Sequence, residues 1–199
     1  MKQVIFSVFV AAVMASCGPS TQIEKSWKDP GAPPVDKTAK VFVVATVKDE
    51  TSRRVIEDQL VKRIGSNAVA SYTFLTPDVI KSTDSTALDN KLKRDNFTYV
   101  LIMRLADVEK ELNYVPGTTT GFYGGYGRFY GYGAGYYSDP GYYTTDKNYM
   151  IETTVYSVDP DKLLWTGTTK TVNPTKIEKT VNDIADVVSN KMRKDGFLK

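Results

Sequence analysis

Hydrophobic residues in this chain occur as short apolar runs separated by stretches with helical periodicity, a pattern typical of alternating strands and helices. Residues 41–45 are continuously apolar, which predicts a strand that is buried on both faces. Residues 97–108 give the strongest strand signal, because only Arg104 interrupts the apolar side chains between Tyr99 and Ala106. We therefore expect this strand to be central in its sheet and covered by helices on both sides.

Three further strands and three amphipathic helices complete the predicted domain. The strands cover residues 69–75, 149–158 and 163–171, and a tight turn at 159–162 joins the last two. The helices run from Thr51 or Ser52 to Ile64, over residues 85–95, and from Asn173-Pro174 towards the C-terminus, with a helix start also at Thr76-Pro77. This order predicts an α/β fold, with a single domain over residues 40–197 and a mixed sheet of about five strands with helices packed on it.

Residues 17–39 are expected to form a flexible tether in front of this domain. Glycine and proline are frequent in this stretch, and few apolar residues are available to pack. Trp27 is the exception, and we expect it to dock on the domain rather than to anchor the chain to a membrane or a partner. A tether of this length would span roughly 25 Å root-mean-square.

The N-terminal residues have the three regions of a secretory signal peptide. Lys2 precedes an apolar run over residues 4–14, and two small residues at 15–16 lie directly before Cys17. The run is too short to cross a bilayer as a helix, which requires about 20 apolar residues. The sequence therefore predicts that residues 1–16 are a cleaved signal peptide.

The residues around this cut make Cys17 a candidate lipidation site. Met14-Ala15-Ser16-Cys17 resembles the lipobox of type II signal peptides. That resemblance implies cleavage between Ser16 and Cys17, attachment of diacylglycerol to the thiol, and acylation of the new amine with a fatty acid such as palmitate. The alternative is a secreted protein with a chance cysteine at its cleavage site. By the same resemblance, Gly18 favours the outer membrane, with the protein facing the periplasm.

Charge and composition argue against several classes of function. The formal net charge is +3, and loss of Lys2 with the signal peptide lowers it to +2, so no nucleic-acid partner is expected. The chain has no histidine and a single cysteine, which removes the usual general base, thiol nucleophile and zinc ligands. We predict no catalytic residue, no cofactor and no metal, although a carboxylate-only enzyme such as a glycosidase stays open.

One acidic ladder is a weaker candidate for chemistry. Asp107, Glu109 and Glu111 would lie on one side of an extended strand. Three acids in this spacing could bind calcium through oxygen ligands. Such a ladder is more often the solvated end of a strand, where it protects an edge against aggregation, and we favour that interpretation.

Three segments resemble small, functionally uncharacterised bacterial envelope lipoproteins: residues 53–60, residues 97–105 and Tyr114-Val115-Pro116-Gly117. The order of elements is more loosely similar to the periplasmic α/β domains of the TolB translocation protein and of the curli secretion channel subunit. These resemblances imply an envelope protein with an α/β domain. They supply no catalytic residue, and a shared fold does not by itself assign a function.

Residues 113–147 form an unusual insertion that contains nine tyrosines and nine glycines but few aliphatic residues. Such a segment cannot build a hydrophobic core, and its glycines make ordering costly. We expect a long flexible or self-associating loop, with a platform for sugars or proteins as the second interpretation and a membrane-inserting hairpin as the third. The candidate binding residues are Tyr123, Tyr126, Tyr130, Tyr132, Tyr136 and Tyr137.

Two functional hypotheses follow from these features. The first is a non-catalytic binding or assembly module, attached to the membrane by its lipid, that engages an envelope protein or a second copy of itself through residues 113–147. The second is a carbohydrate-binding or carbohydrate-processing envelope protein that uses the same tyrosines, with Asp107 or Glu109 as acids.

Overall fold

The computed structural model describes residues 20–75, 85–116, 119–120, 137–138 and 142–198, which form eight strands and four helices. The strands are β1 (Thr21–Lys28), β2 (Lys40–Thr46), β3 (Ala68–Ala70), β4 (Phe97–Val115), β5 (Thr119–Thr120), β6 (Tyr137–Ser138), β7 (Tyr142–Ser157) and β8 (Lys162–Val172). The helices are α1 (Glu50–Ile64), α2 (Ser71–Phe74), α3 (Ser85–Arg94) and α4 (Ile177–Lys194).

Six of these strands form one mixed sheet in the order β1-β8-β7-β4-β2-β3. β2 is parallel to both β3 and β4, whereas β4 with β7, β7 with β8, and β1 with β8 are antiparallel pairs. β5 and β6 form a separate short pair. The predicted α/β fold with one mixed sheet and packed helices is therefore confirmed, with six strands in the sheet instead of about five.

The additional strand is β1, which lies in the stretch predicted to be a tether. It pairs with β8 along one edge of the sheet, beginning with Thr21 opposite Thr171. The hydroxyl oxygens of these two buried residues lie 3.0 Å apart and form a hydrogen bond. Trp27 also belongs to β1, but its side chain is 47% exposed, so its backbone docks while its ring partly faces solvent. The prediction that the domain starts at residue 40 is therefore wrong for residues 21–28, because pairing with β8 satisfies their backbone groups.

Several element boundaries differ from the prediction because of local chemistry. α1 begins after Asp49, whose carboxylate accepts a hydrogen bond from the Ser52 backbone N–H at 2.7 Å, so both predicted caps lie inside the helix. The predicted strand over residues 69–75 ends at Ala70, where the chain turns into α2. α4 begins at Ile177, three residues after the predicted start at Pro174. Thr76-Pro77 lies outside the described residues.

The sheet has a front face, covered by α1 and α4, and a back face, covered in part by α3. On the front face, Trp165 and Ile184 lie in the larger hydrophobic cluster and are at most 1% exposed. On the back face, three rings pack edge to face with centroids between 5.0 and 5.6 Å apart: Phe42, Phe74 and Phe97. None of the helices in the described ranges is both long enough and apolar enough to cross a membrane.

β4 is central in the sheet, but its burial ends halfway along the strand. It lies between β7 and β2, as the apolar pattern predicts. Tyr99 and Met103 are buried, whereas nearly all residues from Arg104 to Val115 are exposed. The expectation of burial on both faces is therefore only partly correct: between Tyr99 and Met103 the front side chains are buried or half-buried, but Val100 and Ile102 on the other face are only half-buried. Beyond Arg104 pairing with β2 also ends.

Asp195, directly after α4, links the end of the helix to the buried indole of Trp165. The Trp165 Nε1–H donates to Asp195 Oδ2 at 3.0 Å, and the Lys191 ammonium donates to the other carboxylate oxygen. Burial alone would raise the pKa of Asp195, but these two hydrogen bonds together with the charges of Lys191 and Lys28 outweigh it, and the pKa lies below its ordinary value. The folded state therefore binds this proton less tightly than the unfolded state does.

We expect the contribution of Asp195 to be complete above the unfolded-state pKa of about 4 and to be lost as the pH falls through the lower folded-state value. Asp195→Asn keeps an acceptor for Trp165 but removes the charge that Lys191 pairs with. In urea unfolding at neutral pH, the free energy of unfolding of the variant should be lower than that of the wild type. The difference between these two free energies should be smaller near pH 3. A difference that is constant across this range would contradict the assignment.

Candidate functional site: the β4–β7 arm

β4 and β7 continue past the end of β2 as a ribbon, which we call the arm, formed by residues 107–115 and 142–150. At its base β7 still pairs with β8 as far as Asn148, and Asn173 bonds both backbone groups of Lys147. Beyond Lys147, within the described residues, the two strands of the arm pair only with each other. At about 3.3 Å per residue, the ribbon extends roughly 30 Å. The prediction of a loop over residues 113–147 is therefore wrong at both ends of this range, because residues 113–115 and 142–147 are in strands.

A β-bulge at the base of the arm decides which side chains share a face. The pairing of β4 with β7 skips Ala106, which lies between the paired residues Leu105 and Asp107. Tyr149 and Ile151 of β7 both line a cleft beneath α1 and α4, so they lie on the front face. The front face of the arm then continues through Val108, Lys110, Leu112 and Tyr114 of β4 and Lys147, Thr145 and Tyr143 of β7.

The front face of the arm exposes large apolar and aromatic side chains near its outer end. Leu112 is 72% exposed and Tyr143 is 73% exposed. The rings of Tyr114 and Tyr143 contact each other with centroids 5.1 Å apart. Side chains of this size clustered on one face of an otherwise solvated ribbon are typical of an interaction surface.

Two lysines lie in the middle of the same face. Lys110 and Lys147 are directly opposite each other in the antiparallel ladder. Within the described residues, neither ammonium group has a carboxylate partner. Like charges directly opposite one another destabilise a strand pair, so this position favours contact with an anionic group outside the ribbon.

A cleft of about 410 Å³ opens at the base of the arm, between the sheet and the first turns of α1 and α4. Its lining includes Leu105 and Ile177, each 42% exposed. Lys48 and Lys176 also line it, whereas the one acid in the lining, Asp49, is engaged as the cap of α1. The front surface therefore combines apolar and basic residues from the cleft to the outer end of the arm.

The back face of the arm is acidic. Asp107, Glu109 and Glu111 lie on this side together, as expected, and Asp146 joins them from β7. Glu111 accepts a hydrogen bond from the Asn148 amide at 3.0 Å and lies 3.6 Å from the Lys170 ammonium. In the described part of the chain, no three His, Cys, Asp or Glu side chains are placed to hold a metal ion.

A second cleft, of about 510 Å³, lies between α1 and α4 over the centre of the sheet. Its lining is mainly apolar, and Arg63 of α1 reaches Asp186 of α4 in an ion pair. The Thr153 hydroxyl in its lining is buried and has no hydrogen-bond partner among the described residues. A hydroxyl without a neighbouring general base is not an activated nucleophile, so this cleft has the chemistry of a binding surface.

Most residues selected from the sequence lie outside the described ranges, so their roles stay predictions: Ser16, Cys17, Tyr123, Tyr126, Tyr130, Tyr132 and Tyr136. Tyr137 lies in β6, opposite Thr120, and only its backbone is described. The residues that the sequence analysis missed are the exposed front side chains of the arm. Their signal is that the apolar residues of this stretch, Val108, Leu112 and Tyr114, all fall on alternate positions with polar residues between them, which is typical of one face of a strand.

No protein-family model and no curated protein matches the sequence. Several solved structures are similar to it. One is a PelC dodecamer from Paraburkholderia phytofirmans, with 11% identity and a TM-score of 0.46 over 85% of this chain and 95% of that chain. Another is the lipoprotein GNA1162 from Neisseria meningitidis, with 9% identity and a TM-score of 0.40 over 78% of this chain and 99% of that chain. Both scores are below 0.5, so neither similarity assigns a function to this chain.

Proposed function

We propose that this chain is a lipid-anchored envelope protein that acts as a non-catalytic binding or assembly module, with the arm as its recognition element. The observation that carries the proposal is the arm itself, which exposes Leu112 and Tyr143 on its front face and Tyr142 on its back face, and whose outer backbone edges are unpaired within the described residues. The cleft at the base of the arm does bring a hydroxyl to a carboxylate, Ser52 to Asp49, but this pair forms the cap of α1. Its hydrogen bonds hold the pKa of Asp49 below the ordinary value, which makes this carboxylate a poor general base. Binding is therefore the function that this geometry supports best.

The energetics of the arm favour a partner. A two-stranded ribbon is only marginally stable in water, because too little apolar surface is buried between its own side chains. Burying a side chain of the size of Leu112 or Tyr143 contributes about 1.5–3 kcal/mol, which is large relative to the stability of such a ribbon. We therefore propose that the arm is ordered and stabilised by what it binds.

The position of the proposed anchor is consistent with this arrangement. The Ser20 carbonyl accepts a hydrogen bond from the Val172 backbone N–H at 2.9 Å, and Val172 lies opposite Asn148 at the base of the arm. Cys17 precedes Ser20 by three residues, which can span about 11 Å at most. A lipid on Cys17 would therefore enter the membrane near the end of the sheet from which the arm extends, and we propose the periplasmic side of the outer membrane.

The test is site-specific photocrosslinking of the anchored protein in its native envelope. A photoreactive residue at position 142 replaces Tyr142, which lies on the back face and is 60% exposed. A matched variant carries it at the exposed position of Lys62 on α1, away from the arm. We expect position 142 to capture a defined protein and Lys62 to capture none.

A deletion of residues 118–140 keeps both described strands of the arm and tests whether the intervening segment contributes to that capture. Loss of the crosslink would place part of the recognition in the deleted segment, and an unchanged crosslink would place it on the arm alone. The absence of a protein adduct from position 142 in the intact chain would overturn the proposal.

A further inference from the structure

We infer that the front face of the arm and the cleft at its base dock on the surface of a lipid bilayer that carries anionic phosphate headgroups. This inference rests on the proposed lipid anchor and assigns one face of the arm to the membrane. It leaves the back face of the arm, where Tyr142 lies, for the protein partner proposed above.

The two faces of the arm have opposite charge, which fixes the side that can approach anionic headgroups. The front surface carries Lys48, Lys110, Lys147 and Lys176, none of which has a carboxylate partner in the described part of the chain. Asp49 is the acid beside them, and its carboxylate is held by Ser52. The back face carries the four acids of the arm, and among the described residues Glu111 alone of these acids has a lysine, Lys170, within ion-pair distance. Phosphate headgroups would attract the first surface and repel the second.

The apolar side chains of the front face suit the same environment. Leu112 and Leu105 can enter the boundary between headgroups and acyl chains, and the cleft beside Leu105 offers apolar walls. Tyr114 and Tyr143 carry an apolar ring and a polar hydroxyl, which is the type of side chain enriched at membrane interfaces. Lysine side chains can lay their methylene stems on the apolar surface while their ammonium groups reach phosphate.

The geometry of the chain brings this face within reach of the bilayer. The anchor joins the sheet at the base of the arm through a connection of about 11 Å at most, and the arm extends roughly 20 Å beyond that point. A ribbon of that length beside so short a connection cannot stay far from the membrane surface. When the front face is turned towards the bilayer, its lysines face the phosphate headgroups and its apolar side chains face the acyl chains.

The test compares labels on the two faces of the anchored protein. Leu112→Cys places a thiol on the front face and Val115→Cys places one on the back face, and Cys17 is blocked by its lipid. Each variant is labelled with an environment-sensitive dye and reconstituted into vesicles of phosphatidylethanolamine and phosphatidylglycerol that contain a lipid-borne quencher. We expect quenching of the dye at position 112 and little at position 115.

The charge dependence is tested with Lys110→Gln/Lys147→Gln, which leaves the backbone and the apolar residues of the arm in place. Removing two lysines should lower the ratio of docked to undocked arm about thirtyfold, and neutral phosphatidylcholine vesicles should have a similar effect. The matched control is Asp107→Asn/Glu109→Gln on the back face, which should leave the quenching unchanged. Circular dichroism verifies that each variant is folded.

Equal quenching at both positions, no quenching at position 112, or quenching that is insensitive to the two lysines would overturn the inference. Its failure is distinguishable from failure of the proposed function. A protein adduct from position 142 without quenching at position 112 would refute membrane docking and keep the binding role. Quenching at position 112 without any protein adduct from position 142 would refute the binding role and keep membrane docking.

Discussion

Glu57→Ala is expected to lower the free energy of unfolding by about 3 kcal/mol, because it removes a fully buried carboxylate that accepts three hydrogen bonds. The side chain is 0% exposed. Its Oε1 accepts from the Ala45 backbone N–H at 3.0 Å and from the Ser71 hydroxyl at 2.7 Å, and its Oε2 lies 3.2 Å from the Tyr72 backbone N. Alanine would leave these donors buried without partners and would open a cavity beside them.

The effect is large because one buried carboxylate joins three elements. It extends from α1 to the end of β2 and to the first turn of α2, which follows the edge strand β3. The N-terminus of α2 has no side-chain cap of its own, so the carboxylate of Glu57 serves that end of the helix. Loss of the carboxylate should therefore loosen the β3 edge of the sheet before it affects β7 and β8.

The measurement is chemical denaturation followed by circular dichroism, combined with hydrogen exchange to locate the loss of protection. Glu57→Gln is the graded variant, because its carbonyl oxygen can still accept from Ala45 and Ser71 while its amide faces the Tyr72 N–H. It should lose less stability than Glu57→Ala. Lys62→Ala on the exposed side of α1 is the control and should change stability little. A Glu57→Ala protein within 1 kcal/mol of wild type, taken as about the value of one ordinary hydrogen bond, would contradict the argument.

The sequence predicts the strands whose burial comes from apolar side chains and misses the one whose burial comes from pairing. Residues 41–45 and 97–103 are identified because aliphatic residues cover both faces. β1 instead buries Thr21 through a hydroxyl pair with Thr171, and a register shift between Ile23 and Lys25 breaks its alternation. Such an edge strand depends on a partner that is distant in the sequence, and Thr21 and Thr171 are 150 residues apart, which a local pattern cannot show.

The bulge residue Ala106 changes which side chains of β4 lie on the front face of the arm, and the sequence pattern does not predict this change. Without the bulge, Asp107, Glu109 and Glu111 would share the front face with Tyr99 and Leu105, where acids would be costly. Ala106 reverses the alternation, so the acids move to the back and the residues from Val108 onward come to the front. The position of a bulge depends on pairing with β7, which the sequence of β4 alone does not show. The segment over residues 113–147 is predicted to be a loop because it is rich in glycine and tyrosine.

Cys17→Ser is expected to abolish covalent lipid attachment completely, which is the largest effect predicted for any single change in this chain. The thiolate is the nucleophile that lipidation requires, and no second cysteine is available to replace it. Each buried methylene contributes about 0.8 kcal/mol to membrane attachment, and one acyl chain alone gives only marginal binding. Incorporation of labelled palmitate into the protein, followed by gel electrophoresis of the envelope fraction, measures the loss directly.

Ser16→Ala is the matched control, because it keeps a small residue before the proposed cut and leaves the thiol in place. It should take up palmitate as the wild type does, whereas Cys17→Ser should take up none. Label retained by Cys17→Ser would place the lipid elsewhere and would refute the proposed anchor. Without a lipid on Cys17, the short connection to Ser20 would no longer hold the front face of the arm close to the bilayer.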